Sequence, residues 1–309
     1  NKGRGYKSNR KKDENVDWSI FYDLMNSYGA HLEKMGFILS KVDGAEGDDL
    51  LWKWSEHFNS IGENCIVVTG DGDLNQLANI NDIGNWTIVW NPNSKKNVLT
   101  IPPGWLDKVI PTKNTKEMSI FDMGSSIIPH NDKLETLSKE ADVIEVNVRD
   151  FIIEKMLTGD KGDAVPSVWI GKNSSGKETR ITPLKAKKIM DGFYNSQWGD
   201  LDFNALLEND EFLEWTGGFC IRSVNGMDTT ENRKEAGENL IRNFKLMWLN
   251  ETVIPSDVLM GMEKSIDRGL GLKRINPVLD RIKILDGTDW LRDGGNIAPT
   301  QFNPFELMK

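Results

Sequence analysis

Ile66, Val67 and Val68 form an apolar, β-branched run with no polar residue among them, and the chain passes at once into Thr69-Gly70-Asp71-Gly72-Asp73. A strand with one wet face alternates apolar with polar, whereas an unbroken run suits a strand covered on both faces, as in parallel sheets flanked by helices. The stretch therefore predicts an α/β fold with Asp71 and Asp73 at the carboxyl end of a sheet strand, the edge at which open α/β sheets bind ligands. Two carboxylates on one tight turn repel each other unless a cation lies between them, and their hard oxygens select a hard ion such as Mg²⁺. An ordinary polar turn and a calcium loop are the alternatives. Asp71-x-Asp73-x-Asn75 copies the start of an EF-hand, but Gln76 stands where Gly is required, and a strand precedes it instead of a helix.

The chain has 309 residues, enough for one large domain or two smaller ones. A content of 38% hydrophobic and 28% charged residues is that of a soluble globular protein. No apolar run approaches a membrane span, and no signal peptide is visible. Cys65 and Cys220 form neither a metal spacing nor a disulfide framework, which fits a reducing cytoplasm. His31, His57 and His130 are scattered and do not make a zinc site on their own. A net charge of −9 argues against a nucleic-acid partner, but the charge is uneven. Residues 1–12 hold Lys2, Arg4, Lys7, Arg10, Lys11 and Lys12 without an acid; residues 172–188 hold Lys172, Lys177, Arg180, Lys185, Lys187 and Lys188 against Glu178 alone. Solvated loops are the plainer account of either patch.

In chain order, apolar residues from Trp18 to Met35 recur at helical spacing and stop at Gly36. Phe37-Ile38-Leu39 reads as a short strand, and Leu50, Leu51, Trp54 and Phe58 share a helical face behind Glu46, Asp48 and Asp49. Acids in a first turn are favoured by the helix dipole, a sufficient account of those three. After the opening strand come a helix through Gln76 and Leu77, then strands at 86–90 and 97–101, paired as a ribbon. Residues 102–146 read as a partly irregular insertion. Asn147 opens a helix that stops at Gly159; Asp160-Lys161-Gly162-Asp163 follows, then a Gly/Ser/Lys loop at 171–180. Thr182-Pro183 makes an N-cap and N1 pair for a basic helix to about Met190, and helices follow near 201–214, 231–249 and 255–268.

Three carboxylate pairs result: Glu46/Asp48, Asp71/Asp73 and Asp160/Asp163. Phosphodiester hydrolysis gathers negative charge on phosphate oxygens, and paired divalent ions held by such acids can offset it. In this order, Glu46-Gly47-Asp48-Asp49, Thr69-Gly70-Asp71-Gly72-Asp73 with Gln76-Leu77, and Gly159-Asp160-Lys161-Gly162-Asp163-Ala164-Val165-Pro166 resemble the signature of the 5′-nuclease (flap endonuclease) superfamily, most closely its phage RNase H branch. Tyr6-Lys7-Ser8-Asn9-Arg10 resembles the base of that family's helical arch.

The resemblance implies a PIN-like, parallel-sheet nuclease core over 1–146 with an insertion at about 91–146. It further implies a helix-loop-helix duplex-binding region within 147–275 and a tail over 276–309. By the same resemblance Glu46, Asp48 and Asp71 hold a first Mg²⁺, Asp73, Asp160 and Asp163 lie around a second, Mn²⁺ substitutes, and a K⁺ sits in the duplex-gripping loop. Lys7 would contact the scissile phosphate and Tyr6 stack near the substrate end, while Arg4, Arg10, Lys161 and the basic residues of 172–188 meet backbone phosphates. The expected activity is 5′–3′ exonuclease and flap endonuclease cleavage of DNA or RNA–DNA hybrids by a monomer in the cytoplasm, that of the host if the gene is a phage's. The family's first strand, ending in an Asp, and a second Asp before the arch are expected upstream of Asn1. A non-catalytic DNA-binding protein of this fold and a PIN-like ribonuclease are the alternatives. Gln301-Phe302-Asn303-Pro304-Phe305 has the form of a docking peptide for a sliding clamp or single-strand binding protein, or of a tail that packs on its own domain.

Overall fold

Asn147 marks the passage from one folded unit of the chain to another: the described residues before it belong with those from 249, and 147–248 form a unit of their own. The computed structural model describes residues 17–34, 37–91, 97–105, 141–199 and 203–271. The expectations at Arg4, Tyr6, Lys7 and Arg10, over 106–140 and in the tail lie outside those residues.

The first unit contains α1 (Trp18–Lys34), α2 (Gly47–Ser60), β1 (Cys65–Val68), a 3-10 turn (Gly72–Leu77), β2 (Asn79–Ile80), β3 (Trp86–Asn91), β4 (Asn97–Ile101) and β5 (Ala141–Glu145). Its sheet is mixed, in the order β1-β3-β4-β5: β1 pairs parallel with β3 and β4 with β5, while β3 and β4 run antiparallel and β2 adds antiparallel to β3. The architecture is α/β, as the opening strand predicts, but the strand's own place differs. Among the described residues β1 has one neighbour and forms the edge; Val67 is buried and Val68 is 41% exposed. The strand covered on both faces is β3, where Trp86, Thr87, Ile88 and Val89 are all buried. Thr87 and the flanking tryptophans disguise that run, whereas Ile66-Val67-Val68 advertises itself.

Val67, Leu74, Leu77, Ala78 and Val89 form a core cluster against which Leu51 and Trp52 of α2 pack. Each valine and leucine of the cluster contributes about 1.5–3 kcal/mol on leaving water, so the cluster fixes α2 on the sheet. Buried Asn59 finishes the job at the far end of α2, donating from Nδ2 to Glu63 O (3.0 Å) and Trp86 O (3.2 Å) and accepting from Thr87 Oγ1 at 2.9 Å. Residues 37–39 are not a strand. No ladder reaches them; Phe37 N instead closes the end of α1 on Leu32 O at 3.0 Å. The expected helix through Gln76 is the single 3-10 turn, and β5 is a full sheet strand inside the segment read as irregular.

The second unit is mostly helical: α3 (Val148–Thr158), β6 (Ile170–Lys172), β7 (Glu178–Arg180), α4 (Pro183–Tyr194), α5 (Phe203–Leu207), α6 (Asp210–Ser223) and α7 (Thr230–Met247). Asn147 caps α3 by accepting from Asp150 N, and Thr182 and Pro183 open α4 as read from sequence. The Gly/Ser/Lys loop is a correction: it is an antiparallel ribbon in which Ile170 faces Arg180 and Lys172 faces Glu178. Its inner face is fastened to the end of α6. Thr179 Oγ1 donates to Val224 O at 2.9 Å, and a Cβ on Gly171 would stand 2.2 Å from the same oxygen. The helix expected near 201–214 is two, broken where Asn209 caps α6.

Helices α6 and α7 pack backbone to backbone. A Cβ on Gly217 would lie 2.5 Å from Arg233 O, and one on Gly237 would lie 3.1 Å from Leu213 Cβ. The chain then returns to the first unit as α8 (Ser256–Gly271), which packs on α2; sequence had grouped it with the helical region. Trp54 Nε1 and Ser265 Oγ both bond Ser40 Oγ, at 2.6 and 3.2 Å, and tie these helices to the segment before α2. Among the described residues no helix is long and apolar enough to cross a membrane.

Candidate functional site

The first unit places Asp71 and Asp73 beyond the carboxyl end of β1, where Thr69 N still donates to Trp90 O at 3.0 Å and extends the parallel ladder. Asp71 is the N-cap of the 3-10 turn: its Oδ1 accepts from Asp73 N at 3.0 Å, and its own N–H donates to Thr69 Oγ1 at 3.0 Å. Side chains below hold the turn in shape. Gln76 donates to Asp73 O at 2.9 Å and accepts from Leu249 N at 3.0 Å, while Asn75 Oδ1 accepts from Thr100 Oγ1 of β4 at 2.9 Å. Sequence reading met Asn75 only as a position of an EF-hand comparison and passed over Thr100 and Leu249; a polar contact with the core leaves no signal in a pattern scored for apolar spacing.

Glu46 is the N-cap of α2, and Asp49 Oδ2 accepts from Glu46 N at 2.8 Å in a capping box. Asp48 lies in the same first turn. Capping thus accounts for part of this acid group, as does the helix dipole. It does not exhaust the donors, because a carboxylate offers about four lone-pair positions and a cap uses one or two.

In the second unit Gly159 ends α3 at φ 72°, where a Cβ would meet Val165 O and the Pro166 carbonyl carbon at 2.5 Å. Asp160 and Val165 then exchange backbone hydrogen bonds of 2.9 and 2.7 Å and close the intervening residues into a loop. Asp160 Oδ1 accepts from Gly162 N (2.6 Å) and Asp163 N (3.2 Å), and Oδ2 takes Lys155 Nζ at 3.0 Å. Partial burial pushes the Asp160 carboxyl up, but the Lys155 ammonium and the two amides outweigh it and hold the group below the usual carboxylate range. Asp160 is therefore a loop organiser whose charge is already met by a lysine. Direct metal ligation would compete with that ammonium for the carboxylate.

The carboxylate set of Glu46, Asp48, Asp71 and Asp73 suits a hard divalent ion by donor type. It is open in geometry: among the described residues, no three His, Cys, Asp or Glu side chains stand together as a metal site. Of the basic residues singled out by sequence, Lys161, Lys172, Lys177, Arg180, Lys187 and Lys188 are exposed and Lys185 is half-buried. The ribbon's alternation puts Lys172 and Arg180 on its outward face beside Glu178, and Lys185 Nζ reaches Arg180 O at 3.5 Å. At the start of α3, Arg149 lies 5.3 Å over the Phe193 ring and 5.6 Å over that of Tyr194. The Tyr194 hydroxyl donates to Asp150; burial and that carboxylate push it up to about 12.

No protein-family model and no characterised sequence matches the chain. Its structure is similar to that of the bacteriophage T5 D15 protein co-crystallised with metal ions, with 14% identity over 86% of this chain and 78% of the other, at a TM-score of 0.48. It is also similar to the T5 D15 flap endonuclease in a pseudo-enzyme–product complex with DNA and metal ions, with 15% identity over 86% and 77% of the two chains, at a TM-score of 0.46.

Proposed function

We propose that the chain is a metal-dependent phosphodiesterase of the 5′-nuclease type, acting near the 5′ ends of DNA or RNA–DNA hybrids. Removal of RNA primers during phage DNA replication, the role of the RNase H of T-even phages, is the finer form of this reading. The observation that carries it is the Asp71–Asp73 turn at the carboxyl end of a parallel strand, in the same folded unit as the acid-rich start of α2. The ordered resemblance at Glu46–Asp49, Thr69–Asp73 and Gly159–Pro166 gives that placement its reaction class.

In this reading Glu46, Asp48, Asp71 and Asp73 hold Mg²⁺ or Mn²⁺; the resemblance adds Asp163 and, through water, Asp160. The ions, when bound, supply an activated water and offset charge at the leaving oxygen. The chain's own cations do the rest. Lys161, Lys172, Lys177, Arg180, Lys185, Lys187 and Lys188 meet backbone phosphates without reading bases, so binding falls steeply with salt. Lys7, Tyr6, Arg4 and Arg10 belong to the same proposal as contacts at the substrate end. A labelled 5′-flap duplex with Mg²⁺, given to the wild type and to Asp73→Asn, tests the reading. Loss of cleavage in the variant with retained binding is expected; equal cleavage by both removes the mechanism.

A second reading is nucleic-acid binding without turnover. The Lys155–Asp160 ion pair and the open carboxylate geometry favour it. Tight, salt-sensitive flap binding with no cleavage in either Mg²⁺ or Mn²⁺ would select it over the first.

A further inference from the structure

Arg242, in the C-terminal half of α7, is a cation without a counter-charge among the described residues. Its Nη1 donates to Asn239 Oδ1 at 2.6 Å, and its Nε and Nη2 donate to Asn243 Oδ1 at 3.2 and 2.8 Å. Those three bonds use three of the five guanidinium N–H groups and leave one on each terminal nitrogen. No carboxylate among the described residues lies within ion-pair distance of it. Glu238, one turn earlier and within ordinary helical reach, is not a partner.

Apart from exposed Arg180, the unit's other arginines show what is missing. Arg222 and Arg233 share Asp228 at 2.5 and 2.6 Å, and Arg149 lies over two aromatic rings. Arg242 is half-buried, and loss of water alone pulls its proton affinity down. A guanidinium taken partly out of water and bonded to neutral amides has its desolvation cost only partly offset. Orienting two asparagines does not call for a full charge; a neutral donor would serve. What the arrangement provides is a planar fork locked in place before any ligand arrives, with one free N–H on each prong. That is the donor count for two oxygens of one phosphate group.

The same asparagines hold the loop after α3. Asn243 Nδ2 donates to Met156 O (2.7 Å) and Pro166 O (3.0 Å), and Asn239 Nδ2 donates to Val168 O at 3.1 Å. Each amide therefore links the cation to a loop carbonyl, so charge at Arg242 is felt along the Asp160–Val168 segment. We infer that Arg242 is a phosphate-binding residue, a backbone contact additional to the lysines of 161–188, and that its occupancy stiffens this loop. The inference rests on the nucleic-acid reading for its source of phosphate; a free phosphate ester has the same chemistry.

The test uses the full chain in EDTA, so cleavage plays no part. Binding of a 5′-flap duplex is followed by fluorescence anisotropy over a salt titration for the wild type, Arg242→Gln and Arg242→Lys. Loss of one phosphate contact lowers the slope of log affinity against log salt by about 0.9 and weakens binding by about tenfold. Arg242→Lys keeps the slope and loses part of the affinity, since its charge remains and its fork does not. Arg242→Gln that folds and binds with unchanged slope overturns the inference and leaves the nuclease reading standing.

Should Arg242→Gln fail to fold, the arginine Nε–H resonances of the wild type decide, titrated first with inorganic phosphate and then with the duplex. A shift of the Arg242 signal supports the site, and no shift with either ligand overturns it. A shift with phosphate in a chain that binds no duplex supports the anion site and sinks the nucleic-acid reading instead.

Discussion

Replacing Asn243 with Ala would reveal how the candidate loop is held. In a continuing helix, Met156 O would accept from the N–H of Asp160, but that N–H goes to Val165 O. Asn243 Nδ2 takes its place and bonds Pro166 O as well, all from a fully buried position. Deleting the amide leaves two inward-facing carbonyls short of a donor. At about 1–3 kcal/mol for each buried group left unsatisfied, the loss is about 3 kcal/mol. For a unit of this size that corresponds to a fall in Tm of about 12–20 °C.

Urea melts would measure the total, and hydrogen exchange would place it, because a chain of two units need not unfold in one step. The exchange of Gly162 and Asp163 amides, which donate to Asp160, should rise along with that of the α3 end. A loss below about 1 kcal/mol, the ordinary value for a single hydrogen bond, together with unchanged exchange at those amides, would refute the capping argument.

Other consequences are open to direct measurement. Asp160 has a depressed carboxyl, so its contribution is present above the ordinary carboxylate range and is lost as pH falls through the folded value. Asp160→Asn should therefore lower stability at neutral pH, and the gap to wild type should close on acidification; parallel acid melts would count against the Lys155 pairing. Gly171→Ala would drive a methyl to 2.2 Å from Val224 O, so the ribbon should detach and expose 170–180 to proteolysis. An undisturbed ribbon with native Tm would contradict that packing. Burial pushes the thiols of Cys65 and Cys220 up to about 11 and about 12; at neutral pH a thiol reagent should label half-buried Cys65 slowly and fully buried Cys220 only when the chain unfolds. Fast labelling of Cys220 in the folded protein would show that the core opens.

Much of this was readable from residue order, for reasons that differ by element. Asn147, Gly159 and Thr182-Pro183 announce helix ends through local chemistry, and each stands at one, although Thr182 makes no side-chain cap bond and leaves the start of α4 to Pro183. Ile66–Val68 announces a strand but not its place in a sheet: neighbours decide which strand is covered, and β3 took that role with a less apolar run. The 171–180 ribbon was hidden because Gly, Ser and Lys read as loop, while its stability comes from a contact with Val224, far along the chain. The acids of the candidate site were legible one by one. Their engagement was not, since nothing in sequence pairs Lys155 with Asp160 or places Asn75 beneath the Asp71 turn. Arg242 escaped notice for the same reason, as its partners on α7 are ordinary asparagines.

The glycine contacts between α6 and α7 have a consequence for how the second unit opens. With Gly217 against Arg233 O and Gly237 against Leu213, neither helix has side-chain length to flex, so the pair separates as a whole or not at all. Such a pair should be the last part of its unit to unfold. The loop at 160–168 hangs from this plate by asparagine side chains, which can let go without disturbing the helices behind them. Opening of the loop is then a local event on a fast clock, and separation of the helices a global one on a slow clock. A ligand that grips Arg242 would act on the first clock and leave the second untouched.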